Sequence, residues 1–326
     1  MMPSFAYIRA RSVDEAIKHL SASNARIHAG GTDLLGCVRD RIFPVERVVA
    51  IRGIKGLSGI AETPDGVSIG SLTTIAEIAA SPVVARLFSG LAVAAGEVAS
   101  PQLRNQGTLG GNLCQKPRCW YYRGEFNCVR KGGDTCFAMM GENKFHCVLG
   151  GENCYMVHPS DVAPMLIALN ASVVVKGPDG TRRIAVEDFY VSPAKDPTRE
   201  TVLKPQEVVT EIAIPKALPR HYSFYRKIRA RGSWDFALAG VALAIQFDGH
   251  RVVKAHVALS GAAPVPWRSK EVEEVITGRS LDRATIAKAQ SVVMAQASPM
   301  EQNEYKVDLF KAALEEELRR ALERVT

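Results

Sequence analysis

Apolar residues change their spacing several times along the chain, and each change predicts a new element. The first fifty residues alternate. A helix opens at Ser12, with Glu15 three positions later completing a capping box. A short apolar strand follows from Ala25 to Ala29, then a glycine turn, then a strand from Arg47 to Ile51. Such alternation predicts a small parallel α/β layer. Thr32, just after Gly30 and Gly31, is placed to cap the helix that follows the turn.

The pattern continues with a strand at VSIGS, a second capping box at Thr74 and Glu77, and an alanine-rich helix reaching Ser100–Pro101. From Leu113 to Val157 the periodicity stops. Regular structure resumes with a helix from about Ser160 to Leu169 and the strand ASVVVKG. A turn at Pro178–Asp179–Gly180 and the alternating strand VVTEIAIP come next. Past a boundary near Leu218–Arg220, strands are predicted at HYSFYRKIR, GVALAIQFD and RVVKAHVAL, with a turn at Asp248–Gly249. Two or three helices close the chain, the last an amphipathic run from Glu301 to Arg324. The second half therefore reads as an antiparallel sheet covered by helices.

Composition narrows the class. The chain has 326 residues, 47% hydrophobic and 23% charged, enough for two or three packed subdomains. Its net charge of +7 is scattered, with Arg226, Lys227, Arg229 and Arg231 the one notable concentration. Nucleic-acid binding would need a longer basic stripe or a known module, so no nucleic-acid partner is expected. No window approaches the 18 or more apolar residues of a membrane span, and the amino terminus has no signal-peptide core; the expectation is a soluble chain, not itself exported. Of seven cysteines, six fall between Cys114 and Cys154, which favours a metal site over disulfides.

Two glycine turns are candidates for anion binding, AGGTDL at Ala29 to Leu34 and GTLGGN at Gly107 to Asn112. Neither is the G-x-G-x-x-G fingerprint or a P-loop. Paired glycines let backbone N–H groups approach a pyrophosphate, and Thr32, Thr108 and Asn112 can add hydrogen bonds. Taken singly, each turn is as well read as a tight bend. The cysteines carry more. Thiolates select iron–sulfur clusters or zinc. The segment lacks both the C-x2-C knuckle usual for zinc and the plant-type ferredoxin spacing. A silent stretch of this length needs something to tie it down, and metal ligation supplies folding energy that an apolar core does not. Trp120, Tyr121 and Tyr122 are placed to shield such a site or simply to pack the loop. The histidines show no paired metal spacing, and His158 reads as a turn or packing residue.

Several stretches together carry a resemblance: AGGTDL, RNQGTLGGNLCQ from Arg104, HPSDVAPML from His158, YRKIRARGSWDFALAGVA from Tyr225, and NEYKVDLF in the last helix. The chain resembles, over nearly its whole length, the FAD-binding medium subunit of the xanthine dehydrogenase and carbon monoxide dehydrogenase family of molybdenum hydroxylases. Most members pass directly from the GGN turn to the H/P-S-D segment, whereas this chain inserts residues 113–157. Similar insertions carrying a [4Fe–4S] cluster occur in flavin subunits of 4-hydroxybenzoyl-CoA reductase and of certain bacterial aldehyde oxidoreductases. The resemblance implies Cys119, Cys128, Cys136 and Cys154 as ligands, leaving Cys114 and Cys147 spare. It also implies FAD with its pyrophosphate between the two turns, on Ala29, Gly30, Gly31, Thr32, Asp33 and Leu34 and on Thr108, Gly110, Gly111 and Asn112. Asp161, Leu203 and Lys227 match positions near the flavin. A lysine there would stabilise an anionic reduced ring. The plainer readings are a solvated strand-edge cation for Lys227 and a helix cap for Asp161.

The fold implied is α+β, a PCMH-type, vanillyl-alcohol-oxidase-like FAD-binding fold. Two α/β subdomains would span about 1–56 and 57–217, and a C-terminal antiparallel sheet with helices like that of CO dehydrogenase flavoproteins would span 218–326. The function implied is electron transfer within a heterotrimer, or a dimer of heterotrimers, beside a molybdopterin-binding large subunit and a [2Fe–2S] small subunit. Ferredoxin, NAD, quinone or oxygen would be the outside partner. The expected location is cytoplasmic, or periplasmic if a partner carries a twin-arginine leader. An aldehyde- or purine-oxidising complex fits the long segment between Cys136 and Cys154; a 4-hydroxybenzoyl-CoA reductase would run electrons the other way. A free-standing flavoenzyme and a zinc-stabilised scaffold are the readings from other classes.

Overall fold

Ser12 shapes the first element. Its Oγ accepts the Glu15 N–H at 3.1 Å and Glu15 accepts the Arg11 N–H at 2.7 Å, fixing the start of the helix Val13–Leu20. In the computed structural model, which describes residues 2–325, this helix packs on a three-stranded sheet, ordered Ala6–Arg9, Arg47–Ala50, Ala25–His28 and wholly parallel. The parallel layer is the one the alternation predicts. Its edge strand Ala6–Arg9 has no buried residue and so left no apolar signal.

The second sheet has five strands in the order Ile60–Thr63, Gly66–Gly70, Val208–Pro215, Ser172–Gly177, Gly180–Ala185, all antiparallel. Its two edge strands are largely exposed and charged, which hides them from a periodicity reading. The single alanine-rich helix expected between Thr74 and Ser100 is corrected to three short ones, Ile75–Ala80, Pro82–Leu87 and Ser89–Gly96. Pro82 disfavours helical backbone at Ser81, which turns extended, and Ser81 Oγ then accepts the Val84 N–H to start the next helix. The predicted Thr74–Glu77 capping box is present.

The C-terminal sheet runs Trp267–Arg268, Arg251–Ser260, Ala239–Asp248, His221–Ile228, antiparallel throughout. Alternation gives this sheet two jobs. Val241, Leu243 and Val257 face the helices Arg283–Val292 and Tyr305–Leu322, where Phe310, Leu314 and Leu318 complete a core. Ala242, Ala244 and Ala258 face the other way and join the core of the five-stranded sheet, against the fully buried helix Val162–Ala168. Small alanines on that face let the helix come close: His256 Nδ1 lies 3.0 Å from the Ala168 carbonyl oxygen.

Between Leu113 and Val157 only a short helix, Trp120–Arg123, and two single 3-10 turns form. The later part of this insertion is nonetheless well anchored, and not by its own apolar residues alone. Asn303 Nδ2 donates to the carbonyls of His146 and Cys147, Lys306 Nζ to the His146 carbonyl, and the Tyr305 hydroxyl to the Lys144 carbonyl. These three side chains come from the NEYK stretch. Asn303 Oδ1 also accepts the Met300 N–H, and the last helix starts at Tyr305, not at Glu301 as the amphipathic run suggested.

Candidate functional site

The two glycine turns meet. A Cβ on Gly30 would lie 2.0 Å from the Gln106 carbonyl oxygen, so only glycine lets the first turn touch the backbone preceding the second. Gly31 sits at φ +74°, in the left-handed region that favours glycine. On the other side, Thr108 Oγ1 accepts the Gly111 N–H at 3.2 Å and caps Leu109–Leu113. Thr32 does not cap its helix as expected. Asp33 takes that position without a side-chain cap bond, because its carboxylate is engaged elsewhere. It accepts the Lys116 N–H at 2.8 Å, Arg123 Nη2 at 2.7 Å and Arg118 Nη2 at 3.0 Å, joining the first turn to the start of the insertion.

The turns border a cleft of about 770 Å³, within the range of cofactor sites. Ala29, Gly30, Gly31, Thr32, Asp33, Leu34, Thr108, Gly110, Gly111 and Leu203 all line it. Leu20, Ile27, Ile51 and Leu72 give it an apolar floor, while Arg26, Lys116, Arg199 and Lys204 add positive charge. Those four cations escaped the sequence reading, since no motif marks them. Burial lowers the Arg26 pKa, and its guanidinium sits 5.0 Å from the centroid of the Phe43 ring.

Asn112, Asp161 and Lys227 are not on the cleft wall. Asn112 Oδ1 accepts the Ser160 hydroxyl at 2.5 Å, tying the second turn to the segment after the insertion. The Lys227 side chain is 1% exposed and donates to Asp161 Oδ2 at 2.8 Å and to the Glu97 carbonyl at 3.0 Å. A solvated strand-edge cation is thereby excluded. Asp161 stands at the helix cap by position, yet Ser160 Oγ accepts the Ala163 N–H there. The Asp161 carboxylate is free to hold Lys227 and to accept the Tyr225 hydroxyl at 2.8 Å. Burial raises its pKa, against the pull of Lys227 and Tyr225.

Cys119, Cys128, Cys136 and Cys154 border one small cavity together with Tyr121, Tyr122, Arg130 and Met156. Cys114 lies on the cleft instead, and Cys147 is buried elsewhere beside Gly151, its thiol pushed up to about 12 by burial. Among the described residues, no three His, Cys, Asp or Glu side chains converge closely enough for a single metal ion. A hydrogen bond with Cys154 draws the Cys136 thiol down to about 6 and drives the Cys154 thiol upward. Trp120 and Tyr121 pack edge-on to each other, and both rings meet His146. His146 Nε2 is 3.3 Å from Cys119 Sγ, a contact that sequence spacing did not suggest. His158 packs edge-on to Tyr190 at 4.5 Å and accepts the Ser160 N–H, the packing role expected of it.

With this geometry in view, residues 3–217 match the family model of the FAD binding domain in molybdopterin dehydrogenase, and residues 223–321 that of the CO dehydrogenase flavoprotein C-terminal domain. The chain is 36% identical over 324 residues to the aldehyde oxidoreductase FAD-binding subunit of Escherichia coli K12, covering 96% of each. It belongs to the FAD-binding medium subunits of the molybdenum hydroxylases. This medium subunit is also 28% identical to the carbon monoxide dehydrogenase medium chain of Hydrogenophaga pseudoflava, over 98% of its own length and 96% of the relative's. Its fold overlays a solved chain of carbon monoxide dehydrogenase from that organism with a TM-score of 0.80 at 27% identity, covering 100% of both. As a family member it is an oxidoreductase subunit, with FAD as the family's cofactor and a place among the medium subunits of multi-subunit enzymes. No helix among the described residues is long and apolar enough to cross a membrane.

Proposed function

We propose that this medium subunit passes electrons between the [2Fe–2S] and molybdopterin subunits of an aldehyde-oxidising complex and an outside acceptor. It would do so with FAD in the cleft and a [4Fe–4S] cluster on Cys119, Cys128, Cys136 and Cys154. The observation that carries the cluster is that these four thiols, drawn from 36 residues of chain, border one cavity while Cys114 and Cys147 do not. Soft thiolates suit iron and sulfide. The aldehyde assignment is supported by the similarity to the Escherichia coli aldehyde oxidoreductase subunit.

The cleft residues have distinct tasks in this reading. Gly30 and Gly31 let backbone N–H groups of the first turn come close to a diphosphate, Gly110 and Gly111 leave the wall of the second turn free of side chains, and Arg26 and Lys116 offset the diphosphate charge. Leu20, Ile51 and Leu72 exclude water from one wall. When bound, FAD supplies exchange of both electron pairs and single electrons. Asn112, Asp161 and Lys227 act from behind the wall. Asn112 fixes the GGN turn through Ser160, and Asp161 and Lys227 fix the segment after it to the C-terminal sheet.

Metal, sulfide and flavin analysis of the whole assembly, isolated without air, tests the proposal. It predicts one FAD and about four irons with about four sulfides for this chain beyond those of the [2Fe–2S] subunit. Zinc without added sulfide would reject the electron-transfer role of the insertion.

A further inference from the structure

The cysteine cavity has one wall that the ligand assignment leaves unexplained. Arg130 is a buried arginine, its side chain 1% exposed. Its Nη1 donates to the Arg199 carbonyl at 3.2 Å and to Glu200 Oε1 at 3.3 Å, but Nε and Nη2, also buried, have no hydrogen-bond partner in the protein. Glu200 does not neutralise it alone, because Lys116 Nζ binds the other carboxylate oxygen. Two cations thus share one carboxylate, and one of them borders the four cysteines. A buried guanidinium with unused donors calls for an anion or acceptors beside it.

We propose that Arg130 is the charge-compensating residue of the iron–sulfur site, with Nε and Nη2 directed to the cluster and its thiolates, and that it raises the cluster's reduction potential. This inference rests on the cluster reading above. A cubane with four thiolate ligands is anionic in both of its states and gains a further negative charge on reduction, so an adjacent cation stabilises the reduced state more. Arg130 also favours the Cys154 thiolate electrostatically. Glu200, which holds Arg130 from behind, has the opposite effect on the same centre.

The test uses the complete assembly, with iron and sulfide measured first and the reduced fraction of the cluster then followed by paramagnetic resonance at set potentials. Arg130→Gln should lower the reduced-to-oxidised ratio at a fixed potential about tenfold, equal to about 59 mV for one electron. Arg130→Lys, which keeps the charge, should stay within about threefold of the parent. Glu200→Gln should shift the ratio the other way. An intact cluster whose potential is unmoved by Arg130→Gln overturns the inference while leaving the cluster reading in place. If Arg130→Gln assembles no cluster, Glu200→Gln decides: a higher potential supports the role, and an unchanged or lower one rejects it. A parent assembly without cluster iron in this chain removes both.

Discussion

The cleft between the glycine turns and the cysteine insertion are neighbours built by different means. Around the cleft the two glycine turns feed regular elements, and their own contact is backbone to backbone, at Gly30 and Gln106. In the insertion almost nothing is regular. Residues 144–147 hang on donors from Asn303, just before the final helix, and from Tyr305 and Lys306 on it, while residues from both halves of the insertion surround a cavity of thiols. Each glycine turn of the cleft is shaped within a few residues, by glycines and caps, and the two turns then meet at Gly30 and Gln106. The insertion is specified at long range, by side chains more than 150 residues away and, in our proposal, by iron. On that proposal, one chain keeps its cofactor frame and carries a second redox site that brings its own ligands and borrows its anchors.

The comparison yields effects of graded size. The largest lies at the junction of the two regions. Burial pushes the His158 imidazole down to about 3, so from pH 6.5 down to about 3 the unfolded chain takes up a proton that the folded chain refuses. Stability present above pH 6.5 should therefore fall across that window, by on the order of 5 kcal/mol in all. In denaturant titrations at several pH values, His158→Asn should flatten the loss; an unchanged acid profile would contradict the assignment. Next comes the frame. Gly30→Ala places a methyl group against the Gln106 carbonyl and should cost about 3 kcal/mol, with FAD lost from the purified assembly. Full flavin content in that variant would break the claim that the two turns must touch. The smallest effect is expected in the graft. Asn303→Ala strands the Cys147 carbonyl, leaves the His146 carbonyl to Lys306 alone, and should cost about 2 kcal/mol. Hydrogen exchange should speed up at residues 143–149 and not at the cleft; equal change in both would deny that the anchoring is local.

The sequence made the frame legible because its signals are short-range. The helix cap at Ser12, the capping box at Thr74, the parallel layer and the antiparallel C-terminal sheet follow from patterns within a dozen residues. Edge strands such as Gly180–Ala185 are exposed and so carry no apolar period, and the alanine-rich run masks the break that Pro82 makes. Of the site, the glycine turns and Leu203 reach the cleft, whereas Arg26, Lys116, Arg199 and Lys204 were invisible: a lone cation has no spacing to betray it. Lys227 illustrates the same limit. Its position in the sequence is compatible with a wet strand edge, and only the fold, by bringing Asp161 and the Glu97 carbonyl to it, makes it a buried ion pair. Asp33 has a similar history, expected beside a diphosphate but also found clamping Arg118 and Arg123.

The account's central claim is that four thiols of the insertion hold an iron–sulfur cluster independently of the flavin. Low-temperature paramagnetic resonance of the chemically reduced assembly, parent against Cys136→Ser, addresses it directly. A signal beyond those of the [2Fe–2S] centres should be present in the parent and absent from the variant, with FAD content equal in the two. Identical spectra from parent and variant would contradict the claim.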